Sequence, residues 1–161
     1  MGSIFSKLTS LFSYQPPKIW KYIPLGGKFG GINRPTAGPR KVQALPTGNH
    51  AIQLYSIATP NGQKATVLLE ELNLIYGLEY DAFLVNIMDG SQFNTGFCNL
   101  NPNSKIPALY HFATTEEKKV EDATRVFESA AILMYLCETF DTQHIFLPPV
   151  GDERRTECLN W

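Results

Sequence analysis

Thr59-Pro60-Asn61-Gly62 separates an apolar run ending at Ile57 from a stretch whose apolar residues return at helical spacing. The start of a helix presents unpaired N–H groups and the positive end of the peptide dipole, so it favours an anion or a thiolate. Thr59 Oγ and the Asn61 amide can both donate a hydrogen bond at that point. A thiol of pKa ~8.5 is mostly protonated at neutral pH, and such donors favour its ionised form. A plainer reading stands beside this one, in which Asn61-Gly62 makes a turn and Thr59 caps the helix.

Further polar residues stand at comparable places. Glu128-Ser129 opens an apolar helical segment, with Ser129 as its expected N-cap and the first free N–H groups beyond it. Lys105 can meet a carboxylate as a point charge, or it can simply be solvated. Gln92 lies in a loop rich in Gly and Asn. Asn33-Arg34 belongs to a strongly basic first third: residues 1–50 hold seven Lys or Arg and no acid, against seven basic and fifteen acidic residues in 51–161. That positive charge suits an anionic ligand, a membrane surface or plain solvation.

The elements that must carry these residues are an alternation of strands and helices. Residues 52–57 read as a strand, and 62–74 as a helix with Ala65, Leu68, Leu69 and Leu72 on one face. Residues 80–87 read as a second strand, so the three form a parallel βαβ unit. Residues 89–101 read mostly as loop, with room for a helical turn. Strands at 106–112 and 124–127 flank a charged turn as an antiparallel hairpin, and a helix follows over 128–140. The fold class is α/β, a thioredoxin-like fold in βαβ-ββα order.

Before this domain, residues 14–50 hold six of the chain's eleven prolines and six of its twelve glycines together with Tyr14, Trp20, Tyr22 and Phe29, which suits an extended arm laid on a folded surface.

 Residues 1–13 differ again. Gly2 after the initiator Met, with Ser6 four places on, fits the N-myristoylation pattern, and Lys7, Lys18 and Lys21 offer the basic second signal that a single acyl chain needs. A disordered tail and an acid-free transit peptide remain the other readings of this stretch.

Three cysteines, Cys98, Cys137 and Cys158, include no C-x-x-C, and with three His residues they show no metal-ligand spacing. This pattern suits a reducing compartment and a cytoplasmic setting, membrane-associated if Gly2 is acylated. It also argues against a thioredoxin-like domain with its own redox pair. Nothing in the pattern calls for a nucleic-acid partner, and no apolar run approaches the ~20 residues of a membrane-spanning helix.

The stretches "YQPPKIW", "INRPTAGP", "LYSIATPNGQKATVLLEEL", "DGSQFNTGF", "NPNSKIPAL", "RVFESAAILMYL" and "ERRTECLNW" together resemble the N-terminal half of a glutathione transferase, most closely the nu-class bacterial disulfide-bond reductases and the fungal nitrogen-regulator group. The resemblance implies glutathione as cofactor, with glutathione disulfide and a disulfide or electrophile substrate as partners. Thr59 and Asn61 would stabilise the glutathione thiolate. A cis Pro107 would let the Ile106 backbone pair with the cysteinyl unit, and Glu128-Ser129 would hold the γ-glutamyl end. Gln92 and Lys105 are weaker candidates for the same ligand. Asn33 and Arg34 would reach a second glutathione, the arm 14–50 covering the active site.

A whole member of this family continues with an all-helical domain and is a homodimer. Here the domain occupies 51–147, and 148–161 reads as a linker and the start of a truncated helical domain. The expectation is therefore a fragment of a glutathione-dependent thiol–disulfide oxidoreductase or transferase. The alternative is a non-catalytic, membrane-tethered binding or regulatory module that keeps the fold.

Overall fold

The computed structural model describes residues 18–19, 26–27, 38–116 and 118–161. Gly2, Tyr14, Asn33 and Arg34, and with them the acylation reading, lie outside the described residues.

Strand β1, Ile52–Ser56, is buried along its whole length because both faces of the sheet are covered there. It pairs in parallel with β2, Tyr80–Leu84, and antiparallel with β3, Ala108–His111. Strand β4, Thr124–Phe127, adds antiparallel to β3, giving the order β2-β1-β3-β4. Parallel β1 and β2 need a long crossover, and helix α1, Pro60–Tyr76, supplies it. Pro60 at the first helical position and Thr59 at the cap start α1 two residues before the sequence periodicity does, and left-handed Gly77 closes it.

Side chains alternate across the sheet, so each register row belongs to one face. The row Leu54, Leu109 and Val126 packs against Leu68, Leu69 and Leu72 of α1 and against Ile132 and Leu136 of α3, Ser129–Phe140. Tyr55, Ala108 and Tyr110 face the other way and pack with Phe97 and Leu100 of the short helix α2, Thr95–Leu100. The sequence suggested mostly loop over this stretch, with room for a helical turn, and the structure holds two short helical pieces: Ser91–Phe93 is a 3-10 turn and Asn94 caps α2 by accepting from Phe97 N–H at 2.6 Å.

Residues 40–50 run along this second face. Arg40 N–H donates to Phe93 O at 2.7 Å, Thr95 N–H to Lys41 O at 3.0 Å and Gly96 N–H to Gln43 O at 2.9 Å. Tyr55 OH donates to Pro46 O at 2.7 Å. At the sheet edge, Gln53 Nε2 and His50 N–H both donate to Asp81 Oδ2 at 2.7 Å. Burial opposes ionisation of Asp81, but these bonds outweigh it and hold its carboxyl below the ordinary range.

After α3, Asp141 gathers the chain. Tyr76 OH and Ile145 N–H donate to its Oδ1, and Phe146 and Leu147 N–H to its Oδ2. The last helix, α4, Glu153–Asn160, buries none of its residues. No helix among the described residues is long and apolar enough to cross a membrane.

Candidate functional site

The register decides where the chemistry-bearing residues meet. Tyr55 pairs with Ala108, and Ala108 with Phe127, forming one row across β1, β3 and β4. Just beyond that row, β1 leads to Thr59, the chain enters β3 from Ile106-Pro107, and β4 leads to Glu128. Neighbouring strands lie about 4.8 Å apart, so these three segments emerge side by side from one end of the sheet.

Thr59 has the extended backbone of an N-cap, and Gly62 N–H donates to its Oγ1 at 3.2 Å. The hydroxyl proton is not used in that bond, so the same oxygen can cap the helix and still donate outward. Asn61 is exposed, and its Oδ1 accepts from Lys64 Nζ at 3.1 Å. Its amide Nδ2 has no acceptor among the described residues. Gly62 matters for a reason the sequence did not reveal: a Cβ there would overlap Ile57 O and Ser56 Oγ. The missing side chain lets α1 start directly against the end of β1.

The Ile106–Pro107 peptide is cis. The loop before it is held by Asn101, whose Nδ2 donates to Lys105 O at 2.7 Å while its Oδ1 accepts from Asn103 N–H at 2.9 Å. Asn101 is fully buried, and Ser104 beside it has a left-handed φ of 53°. Lys105 is exposed at this end of the sheet. Gln92, in contrast, is buried at 1% exposure, with its Nε2 donating to Ile87 O at 3.3 Å, so its side chain belongs to the loop interior.

Ser129 is not the cap of α3. That position falls to Glu128, and Ser129 is the first helical residue. Glu128 holds φ at 72°, a region costly for any residue with a Cβ, and its side chain makes no capping bond. The carbonyl of Glu128 accepts from Ile132 N–H at 2.9 Å, leaving the earlier N–H groups of α3 outside the helix's own ladder.

Two hollows lie near α1. One of about 330 Å³ is lined by Ser56, Ile57, Gly62, Thr66 and Phe83 among others. The larger, about 740 Å³, runs between α1, α3 and α4 and takes no lining from Ile106-Pro107 or Glu128, so it is separate from the row just described. No group of three or more His, Cys, Asp or Glu residues suited to a metal stands together among the described residues.

Residues 58–139 match the model of the glutathione S-transferase N-terminal domain. The chain is 47% identical over 152 residues to the disulfide-bond oxidoreductase YghU of Escherichia coli (strain K12), covering 92% of this chain and 49% of that protein. The crystal structure of glutathione transferase YghU from Streptococcus pneumoniae, complexed with glutathione, superposes with a TM-score of 0.76 at 49% identity, covering 92% of this chain and 54% of that one. A glutathione transferase from Pseudomonas putida, with one glutathione disulfide bound per subunit, gives a TM-score of 0.54 at 34% identity over 70% of this chain and 44% of that one. The chain spans about half the length of the relatives it matches.

Proposed function

Because the chain belongs to the glutathione S-transferase family, we propose that its 51–147 domain binds glutathione and serves a glutathione-dependent thiol–disulfide oxidoreductase. The observation that carries this reading is the shared row, which brings a thiolate-favouring turn, a cis-proline segment and a helix N-terminus to one end of the sheet. Thr59 and Asn61 donate to the glutathione sulfur. The Ile106 backbone pairs with the cysteinyl unit, and Glu128 with the start of α3 takes the ammonium and carboxylate of the γ-glutamyl end. Lys105 meets the glycyl carboxylate. Gln92 supports the loop beneath, and Asn33 and Arg34 reach a second glutathione.

With no cysteine at the turn, the reducing electrons come from glutathione. One glutathione thiolate attacks the substrate disulfide and releases a thiol. A second glutathione then attacks the mixed disulfide, so two glutathiones become one glutathione disulfide and the substrate becomes two thiols. The relatives named for disulfide-bond oxidoreduction and for bound glutathione disulfide support this direction over conjugation to an electrophile.

The proposal extends to a homodimer for the full-length protein and to a cytoplasmic chain tethered at a membrane surface through acylated Gly2. Calorimetric titration with reduced and oxidised glutathione tests the central claim. Binding by the chain and its loss in a Thr59→Ala, Asn61→Ala variant are expected, and no binding by folded chain overturns it.

A further inference from the structure

Asn101 is fully buried in the loop before β3, and each of its polar atoms has a partner there. Its N–H donates to Phe97 O at 2.8 Å and closes α2, while its own carbonyl accepts from Ser104 N–H at 2.9 Å. Oδ1 accepts from Asn103 N–H at 2.9 Å, which makes Nδ2 the donor to Lys105 O at 2.7 Å. That last bond sets a direction. The Lys105–Ile106 peptide is trans, and in a planar trans peptide the C=O and the following N–H point opposite ways. With Lys105 O drawn into the loop, Ile106 N–H is turned out of it.

The β1–β3 ladder shows where that N–H leads. Phe112 N–H donates to Ala51 O at 3.0 Å, and in an antiparallel ladder every second opposed pair is hydrogen-bonded. Gln53–Tyr110 and Tyr55–Ala108 are the next such pairs, and Ile57–Ile106 would follow on the same side of β3. That pair is not made. The register ends at Tyr55–Ala108, and Ile57 O accepts from Thr59 N–H at 2.6 Å instead. Ile106 N–H has no partner among the described residues. A ladder donor beside the Thr59 turn is therefore left unused by β1, and a buried amide holds it in place.

We propose that Asn101 is a positioning residue for glutathione: by holding Lys105 O it aims Ile106 N–H at the cysteinyl carbonyl, so that the tripeptide takes the ladder place Ile57 gives up. Asn101 touches no atom of the ligand and acts through the Lys105–Ile106 peptide. The inference rests on the proposed glutathione site and adds to it the group that fixes the direction of one ligand hydrogen bond.

The probe is S-methylglutathione, whose sulfur has no proton to lose, so that thiolate activation at Thr59 stays out of the measurement. Amide hydrogen exchange followed by NMR should show Ile106 N–H exchanging in the free wild-type chain and protected in its complex. Asn101→Asp keeps the side-chain shape and the acceptor for Asn103 N–H, but its carboxylate has no donor for Lys105 O. At mildly alkaline pH it should bind the probe about tenfold more weakly. Its complex should also leave Ile106 N–H unprotected while α2 and β3 keep their wild-type protection, a pattern that a merely structural role does not produce. Equal affinity of the folded variant and the wild type overturns the proposal, as does an Ile106 N–H that exchanges as fast in the wild-type complex as in the free chain. The second measurement needs only the wild type, so it decides the matter even where the variant does not fold. A wild-type chain that fails to bind the probe overturns the glutathione reading as well, whereas binding without protection at Ile106 overturns this inference alone.

Discussion

Replacing Thr59 separates its capping role from its proposed donation to the glutathione sulfur. The Gly62 N–H bond to Thr59 Oγ1 at 3.2 Å makes it an N-cap, and losing such a cap costs about 1 kcal/mol. Donation to a bound thiolate is a charge-assisted bond, of about 1.5–3 kcal/mol, equivalent to roughly 1–2 pKa units at 1.36 kcal/mol each. Thr59→Ala should therefore lower stability by about 1 kcal/mol in denaturant unfolding and raise the pKa of bound glutathione by roughly 1–2 units. The thiolate is followed by its ultraviolet absorbance during pH titration. Thr59→Ser should restore both quantities, whereas Thr59→Asp should keep the cap and lose the donor. An Ala variant that loses stability but leaves the thiol pKa unchanged would refute the argument and reduce Thr59 to a capping residue.

Two further substitutions test the frame. Asp141→Ala strands three backbone N–H groups and the Tyr76 hydroxyl, and at ~1 kcal/mol each the loss should be about 3–4 kcal/mol in chemical unfolding. Burial opposes ionisation of Asp141, but those bonds outweigh it and depress its folded pKa. Its stabilisation is thus complete above the unfolded value of 3.8 and fades as pH falls through the lower folded value, a dependence the variant should lack. Tyr110→Phe removes a buried hydroxyl that has no hydrogen-bond partner among the described residues, so stability should hold or rise by about 1 kcal/mol. A comparable loss would show that the hydroxyl is satisfied.

The β1–turn–α1 entrance was legible because the apolar period changes from strand to helix within a few residues, and Pro60 and Thr59 only move its boundary. The place and extent of helix α2 were hidden because six residues give too little periodicity, and Gly96 argued against more than a turn. That glycine is explained by a neighbour far off in sequence: a Cβ would run into Ala44 and Leu45. The same distance concealed the His50–Gln53–Asp81 cluster, for which a polar Gln53 inside an apolar strand was the one local sign. Ser129 was given the cap because Ser is a common capping residue, while the left-handed backbone of Glu128 has no signature in sequence.

The row through Tyr55, Ala108 and Phe127 also divides inheritance. Thr59 reaches the site from its own strand, through a turn that shares no backbone with the segments after β2. A substitution there would change the proposed activation of a sulfur while the segments proposed to grip the rest of the ligand keep their sequence. Natural variation, or a designer, has at this turn an exchangeable part on a separate mount.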